Sequence, residues 1–315
     1  MASIIAYFYE AVTKKHITCY DVVNLYFEKE RYTPYTVARF TVLNNRVIED
    51  LCEVQITIGG KVIHQGVADS MEAKMTDDGY YSITVYSRSF TAALSVNQPI
   101  PKTNSNVNLN DILTSNISNL RVASQADTKT VNYVYILDRD TLWDAVVAYA
   151  IKAYSNYPYI RNSNTVMVSP PTSPTAFSHQ SNVLELSQGV NLSNMISQIN
   201  MKDYNGDYST YQMTNDYAVN RYVIRRKTIE LDKQWLAEPN TALSKRIDFS
   251  NRAVKYKAAK IEGYNGEDLF DKMTITKGST KFIDAKYIHR IIITGNKDGI
   301  VTKLYTYFDG YSGDI

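Results

Sequence analysis

Alternating apolar and polar positions run through the first third of the chain. Val54–Ile58 alternates with a period of two, and Tyr81–Tyr86 repeats the pattern. Gly59-Gly60 and Asp78-Gly79 are residue pairs typical of tight hairpin turns. Short strands joined by two-residue turns predict an antiparallel meander, folded as a barrel or a sandwich, over residues 1–98. The other predicted strands of this region are Ile17–Tyr26, Tyr35–Val42, Lys61–His64 and Val67–Met75.

Residues 99–185 depart from this pattern and predict a helical or mixed insertion. Residues 99–107, which hold two prolines among Thr, Asn and Ser, predict a linker. A short apolar-periodic segment follows it, and either Asn108 or Asn110 is suited to cap it as a helix, because both side chains accept hydrogen bonds from free backbone N–H groups.

A longer helix is predicted further along the same insertion. It is capped by Asp140 and continues to about Tyr157, because its apolar residues recur on one helical face. A strand over Thr165–Val168 precedes the proline-containing loop Pro170–Gln180, which we expect to be exposed and to contact partners.

The last third, residues 186–315, returns to strand patterns and predicts a second β domain. Asn205-Gly206, Asn265-Gly266 and Asp298-Gly299 provide the turn signals. Residues 240–257 are ambiguous, since they fit either a helix capped at Asn240 or Thr241 or a loop that leads into a strand. The predicted strands are Val190–Met201, Tyr217–Ile229, Ala259–Tyr264, Met273–Ile275, Ile288–Thr294 and Ile300–Phe308.

Composition narrows the functional classes. The 34 basic and 32 acidic residues leave a net charge of +2, which is too balanced for a specific nucleic-acid binder. No apolar run approaches the length of a membrane span, and the first 15 residues do not form a signal peptide, so we expect the chain to be cytoplasmic, at least during synthesis. Tyr occurs 26 times. This count fits wide, half-exposed sheets, and it also fits an aromatic surface that binds sugars or proteins.

No motif for catalysis, for a cofactor or for a metal emerges, so we predict a protein that is not an enzyme. The four histidines and two cysteines lack metal-ligand spacing, and there is no nucleophile elbow, P-loop or dinucleotide fingerprint. Carboxylate pairs such as Glu267-Asp268 with Asp271 are interpreted as solvated turn charges. The basic run Arg225–Lys227 is interpreted as a solvated strand end rather than a phosphate track.

One segment nevertheless resembles a known family. Val54–Gln98 contains a strand, a Gly-Gly turn, a second strand, and a strand that ends in Ser87-Arg88-Ser89-Phe90-Thr91-Ala92-Ala93-Leu94. This order resembles the first barrel of baseplate hub proteins of contractile-tailed phages and phage-tail-like bacteriocins, which include the Mu-type, late control gene D and XkdQ-like groups. In that family a Ser-Arg-Ser-x-Thr-x-x-Leu string leads out of the first barrel. The later order also fits, with Leu109–Leu113, Leu142–Val146, Val166–Pro170 and Val190–Met201 following in turn.

The resemblance implies an α+β architecture that is mainly β. Two related antiparallel barrels, residues 1–98 and 186–315, would flank the insertion 99–185, and three subunits would form a pseudo-hexameric ring. It implies a structural hub that adapts a sixfold tail tube to a threefold central spike in the baseplate of a virion or phage-tail-like particle. The implied partners are two further copies of the chain, the tail tube protein, the spike protein, other baseplate proteins and the tape measure protein.

A different class of function stays open at the level of sequence. The tyrosine count and the carboxylate pairs also fit a β-rich protein that binds or degrades carbohydrate, with aromatic rings stacked on sugars. The hub hypothesis predicts threefold assembly, whereas the carbohydrate hypothesis predicts glycan binding or turnover.

Overall fold

The computed structural model describes residues 3–308. Strands account for 47% of the chain and helices for 15%, so the prediction of a mainly β protein with some α structure is confirmed. The arrangement as two related barrels in a trimeric ring stays a prediction.

The first ten strands occupy most of residues 3–136. They are β1 (Ile4–Glu10), β2 (His16–Cys19), β3 (Val22–Glu30), β4 (Val37–Asn44), β5 (Leu51–Ile58), β6 (Lys61–Met75), β7 (Tyr81–Ser89), β8 (Lys102–Val107), β9 (Ala123–Ser124) and β10 (Val131–Ile136). Two helices lie between them, α1 (Ala93–Val96) and α2 (Leu109–Ser115).

Helix α3 (Leu142–Tyr154) opens the second half of the chain. The strands that follow it are β11 (Tyr159–Arg161), β12 (Thr165–Met167), β13 (Ala176–His179), β14 (Val183–Val190), β15 (Gln198–Met201), β16 (Tyr211–Thr214), β17 (Arg226–Ile229), β18 (Lys255–Glu262), β19 (Lys272–Lys277), β20 (Thr280–Tyr287), β21 (Arg290–Asn296) and β22 (Gly299–Phe308). Helices α4 (Asp216–Val219) and α5 (Pro239–Ser250) lie among them.

The described chain forms two compact units. The larger unit runs through Leu186 and resumes over Ala259–Tyr305, and the smaller unit contains Ser187–Ala258. The predicted domain boundaries at 98/99 and 185/186 stay predictions. The chain passes from the larger unit to the smaller one after Leu186 and returns after Ala258. It returns because the strands from β19 onward pack with the N-terminal strands.

The larger unit is built on nine consecutive strands of one sheet, in the order β22-β21-β3-β4-β7-β6-β5-β1-β2, with every neighbouring pair antiparallel. Alternation along β1 and β4 buries every second side chain. The core on that face includes Phe8, Phe40, Ile56, Val85 and Ile293. Strand β3 pairs with both β4 and β21, so one sheet contains strands of the first and last thirds of the chain.

A second core in the larger unit lies around α2 and α3. Each helix begins with a capping box, Asn108 with Asp111 and Thr141 with Asp144, in which side chains and backbone N–H groups bond reciprocally. The buried faces of both helices pack beside the β8–β10 pair, and the core residues include Leu109, Ile112, Val134, Ile136, Leu142 and Tyr149.

The smaller unit combines helix α5 with the three-stranded sheet β16-β15-β17. Ile199 and Met201 of β15 meet Leu243 and Ile247 of α5 in a buried cluster. Proline at the first position of α5 suits a helix start, because its missing N–H would have no intrahelical acceptor there.

Several element predictions are wrong in instructive ways. The predicted strand Ile17–Tyr26 is two strands, since β2 ends at Cys19 and β3 begins at Val22. The predicted linker 99–107 contains β8, which pairs with β10 over Lys102–Val107. Its polar residues are exposed, so the strand shows no apolar alternation that a sequence pattern would detect.

Three further boundaries differ from the predictions. The long helix is capped by Thr141 rather than by Asp140, and it ends at Ser155, which adopts a left-handed conformation. The ambiguous stretch 240–257 is a helix followed by a strand, but the helix begins at Pro239, before either predicted cap.

Two predicted strands of the smaller unit are also only partly strand. Within Tyr217–Ile229 only Arg226–Ile229 is a strand, and within Val190–Met201 the regular strand is Gln198–Met201 after the end of β14. No strand was predicted at β1 or at β20.

Close backbone approach at Gly66 gives a test of the sheet. A Cβ atom at this position would lie 2.0 Å from the carbonyl oxygen of Arg88 in the neighbouring strand. We therefore expect Gly66→Ala to lower the free energy of unfolding by more than about 3 kcal/mol, since the β6–β7 pairing must open to admit the methyl group.

Denaturant unfolding followed by circular dichroism measures this change. Gly79→Ala is the control, because a Cβ there meets nothing within 4 Å and only the positive φ of 79° opposes it. A cost of about 1 kcal/mol is expected for the control. Equal costs for the two variants would contradict the close approach.

Candidate functional site

The Ser87–Leu94 string ends β7 and continues through a 3₁₀ turn into α1. Ser87 donates its hydroxyl to the carbonyl of Val67 at 2.7 Å, and its oxygen lies 2.9 Å from Nε2 of His64. The other ring nitrogen of His64 lies 2.8 Å from the Thr36 hydroxyl. These groups are buried, so the string begins inside the sheet as a satisfied polar network.

The rest of the string has equally local partners. Ser89 accepts the backbone N–H of Thr36 at 3.0 Å, and its hydroxyl lies 2.8 Å from that of Thr91. Arg88 forms a two-point ion pair with Asp69 at 2.7 and 3.0 Å. Arg88 is therefore satisfied by a nearby carboxylate at the end of β7.

A buried ionic cluster is the most elaborate polar site of the larger unit. Lys29 on β3 lies 2.5 Å from the carboxylate of Asp268 and also donates to the carbonyl of Asn162. The two side chains are only 5% and 14% exposed. Burial lowers the pKa of Lys29 below its ordinary value, and the Asp268 carboxylate opposes that shift.

A second ion pair extends this cluster. Arg161 donates to Asp271 at 2.6 Å and to the carbonyl of Leu269 at 3.2 Å. Asp271 also accepts the backbone N–H groups of Thr175 and Asp268, at 3.1 and 2.9 Å. Backbone donors therefore complement the cation, and both oxygens of the buried Asp271 carboxylate accept hydrogen bonds.

The neighbouring Glu267 is almost fully buried as well. Burial by itself would raise the pKa of its carboxyl group, but His179 at 3.3 Å and the N–H groups of Asn265 outweigh that effect, so the pKa lies below its ordinary value. The interpretation of Glu267, Asp268 and Asp271 as solvated turn charges is wrong. They lie beside a cavity of about 380 Å³, with each carboxylate already occupied by donors of the chain itself.

An apolar loop of the smaller unit has the opposite character. Between α4 and β17, Tyr222 is 94% exposed and Ile224 is 88% exposed, and Val219 is also exposed. Tyr222 has a left-handed backbone with φ of 58°, which is rare for a bulky side chain and indicates that its surroundings determine it. The sequence pattern Tyr222-Val223-Ile224 predicted a strand here and missed this loop.

The predicted contact loop Pro170–Gln180 is only partly free. Its second half is β13, which runs parallel to β19 with Ala176 opposite Lys272.

The three residues of the basic run Arg225–Lys227 have different environments. Arg225 is held by backbone carbonyls, and Arg226 and Lys227 are exposed on β17.

No catalytic, cofactor or metal residue was predicted. Within residues 3–308, no three His, Cys, Asp or Glu side chains lie close enough together to hold a metal ion. In the same residues, no helix combines the length and the apolar composition that crossing a bilayer requires. Cys19 and Cys52 are both free thiols.

Comparison with known proteins finds similarity in fold. No protein-family profile and no curated protein sequence matches the chain. The crystal structure of a tail protein from Neisseria meningitidis MC58 superposes with a TM-score of 0.72 at 12% identity, over 98% of this chain and 97% of that one. The 43 kDa tail protein of prophage MuSo2 from Shewanella oneidensis gives 0.69 at 12% identity, over 98% and 99%.

A third similar structure is the E. coli c3393 protein, described as a type VI secretion component with structural similarity to the T4 tail proteins gp27 and gp5. It superposes with a TM-score of 0.53 at 10% identity, over 92% of this chain and 75% of that one. The described chain therefore has a fold found in phage tail proteins and in a secretion component.

Lys29 provides a test of the buried cluster. We expect Lys29→Met to lower the free energy of unfolding by about 3–5 kcal/mol, because it leaves Asp268 in a buried site without its cationic partner. Chemical denaturation at pH 7 measures the loss. The matched control is Lys74→Met, which breaks the exposed pair with Glu72 and should change stability by less than about 1 kcal/mol. A similar small effect at Lys29 would show that its burial is not maintained in solution.

His64 predicts a pH dependence. Burial lowers its pKa from 6.5 to about 3. A histidine with a lowered pKa contributes its full stability above pH 6.5, and that contribution is lost as the pH falls from 6.5 towards 3, because the unfolded state takes up the proton first. At pH 5 the loss from this group is about 2 kcal/mol.

Unfolding measured at pH 7 and pH 5 in the wild type and in His64→Gln checks this expectation. The variant is less stable at pH 7, since its amide replaces a ring held between Thr36 and Ser87, but it should lose less stability on acidification. His16→Gln is the control, because His16 lies at an exposed position of β2. Equal acid sensitivity of the wild type and His64→Gln would contradict the assignment.

Proposed function

We propose that this chain is a structural baseplate hub of a contractile tail or contractile injection particle. As a homotrimer, it would adapt the sixfold tail tube to the threefold central spike. The observation that carries the proposal is the extent of the fold similarity, since two phage tail proteins superpose over at least 97% of both chains. The printed description of the E. coli c3393 protein supports the same class of machine.

The open strand edges of the larger unit fit a subunit that assembles. β2 is a terminal strand of the sheet, paired only with β1 among the described residues. Strand β6 pairs with β5 no further than Val67, whereas it pairs with β7 as far as Met75. Among residues 3–308, its outer half therefore has one edge without a paired strand, and such an edge needs a partner strand or protective charges.

The chemistry of the sites also supports a structural role. Arg88, Lys29 and Arg161 each have a carboxylate of the same chain as partner, and the carboxylates beside the cavity accept backbone N–H groups. These groups hold the fold together and leave little unpaired charge for a substrate. The proposed particle is a virion or a phage-tail-like structure, and the proposed partners are the tube, spike and other baseplate proteins, with the tape measure protein.

The mass of the purified protein in solution tests the proposal. Size exclusion with light scattering should give about 107 kDa, three times the 35.8 kDa of one chain, at several concentrations. Addition of the tube and spike proteins encoded with it should give a larger complex. A mass of one chain, both alone and with those two proteins, would overturn the hub assignment.

A further inference from the structure

The loop from Val219 to Ile224, here called the 219–224 loop, presents two large apolar side chains almost entirely to solvent. Scattered apolar residues on a surface are ordinary. Here Val219, at the end of α4, and Tyr222 and Ile224, in the segment that follows it, are exposed within six residues of the chain, and clustered exposure of this kind marks contact surfaces.

The base of the loop is held in place. Arg225 donates through one guanidinium nitrogen to three backbone carbonyls, those of Leu192, Ser193 and Met195. Its backbone N–H donates to the Ser197 hydroxyl at 2.9 Å, and Ser197 returns its own N–H to the Arg225 carbonyl at 2.9 Å. These hydrogen bonds fix the C-terminal end of the loop to the rest of the smaller unit.

The N-terminal side is held as firmly. The backbone N–H groups of Arg221 and Val223 both donate to the carbonyl of Ala218, which is fully buried. The Arg221 guanidinium lies 3.5 Å from the centre of the Tyr217 ring and donates to the Tyr217 carbonyl at 2.9 Å. A loop ordered before it binds loses little conformational entropy on binding, and this favours a docking role.

Charge around the loop indicates the kind of partner. Arg226 and Lys227 follow it on β17 with exposed side chains, and between Asn215 and Lys227 four basic residues stand against one carboxylate, Asp216. Tyrosine and arginine are enriched among the residues that dominate protein interfaces. The matching surface is therefore apolar at its centre and acidic at its rim.

A second copy of this chain offers no such surface at its apolar cleft in the larger unit. That cleft, of about 410 Å³, has Val67, Phe90 and Val96 in its lining and Glu53 and Asp69 at its rim. Glu53 is already paired with Arg121, and Asp69 with Arg88. These carboxylates are therefore not available to Arg226 and Lys227.

We propose that the 219–224 loop is a docking anchor that inserts Tyr222 and Ile224 into an apolar, carboxylate-rimmed pocket of a different protein. The inference rests on the proposed structural function, because it assigns one contact of the chain within its assembly.

Site-specific photo-crosslinking tests the anchor. The full-length chain with benzoylphenylalanine in place of Tyr222 is produced in cells that make all the tail proteins encoded with it. The cells are irradiated, and the particles are then separated from the remaining lysate so that cross-links are analysed in both fractions. The control carries the same residue in place of Tyr204, which is 69% exposed in the same unit but outside the loop. We expect one cross-linked species with another protein at position 222, at about ten times or more the yield at position 204.

The attached peptide and the charge dependence decide the result. Mass spectrometry should place the cross-link in an apolar segment next to Asp or Glu residues. Arg226→Glu combined with Lys227→Glu should reduce the yield by about fivefold or more, whereas Arg226→Lys combined with Lys227→Arg should keep it.

A cross-link only to the chain itself, a yield no higher than at position 204, or a yield unaffected by charge reversal would overturn the anchor. The particle fraction separates this failure from failure of the hub. If the wild-type chain is present in particles but the position-222 variant gives no cross-link, the hub proposal holds and the anchor proposal fails. If the wild-type chain is absent from particles, the hub proposal fails. The identity of the cross-linked segment then decides the anchor proposal by itself.

Discussion

A buried ion pair between Lys29 and Asp268 connects the first third of the chain with the last. Removing two charges from water is unfavourable unless each finds a complete set of partners. Here the Asn162 carbonyl, the backbone N–H groups around Asp268 and the Arg161–Asp271 pair provide that set. A slip of β3 by one residue would turn Lys29 to the opposite face and separate it from Asp268. The ion pair therefore favours one register between β3 and β21, and the continuous sheet depends on that register.

Paired charged groups and uncovered surfaces have separate roles in this protein. In the larger unit, Lys29, Arg88 and Arg161 each pair with a carboxylate of the same chain and stabilise the fold around the sheet. The edge of β2, the outer half of β6 and the 219–224 loop are uncovered among the described residues, and all three suit contact with other proteins. A subunit of a large assembly needs this distribution, because its rigidity comes from internal pairing and its specificity comes from the surfaces that the fold leaves uncovered.

Sequence patterns predicted many of the elements that bury one face, although β1 was missed, and they failed where burial does not alternate. The alternation of β5 and β7, the glycine pair before β6 and the Asn108 cap all have strong local signals, and each is present. Strand β8 is polar on both faces, and Tyr222-Val223-Ile224 alternates without being a strand, so pattern alone fails at both. The burial of Asp268 and Asp271 depends on Lys29 and Arg161, which are remote in sequence. Only the tertiary fold shows that those carboxylates are not turn charges.

The pairing of β3 with β21 also has a consequence for biosynthesis. Glu30 and Arg290 face each other in the sheet but are 260 positions apart, so a ribosome that adds about 5–20 residues per second needs roughly 13–50 s to supply the second strand. During that interval β3 is an open edge and Lys29 lacks its carboxylate. A nascent chain that stalls before Asp268 is made therefore exposes both the unpaired edge of β3 and the unpaired Lys29. Proteases and chaperones in the cell recognise exposed strand edges of this kind, so an incomplete chain is open to both during that interval.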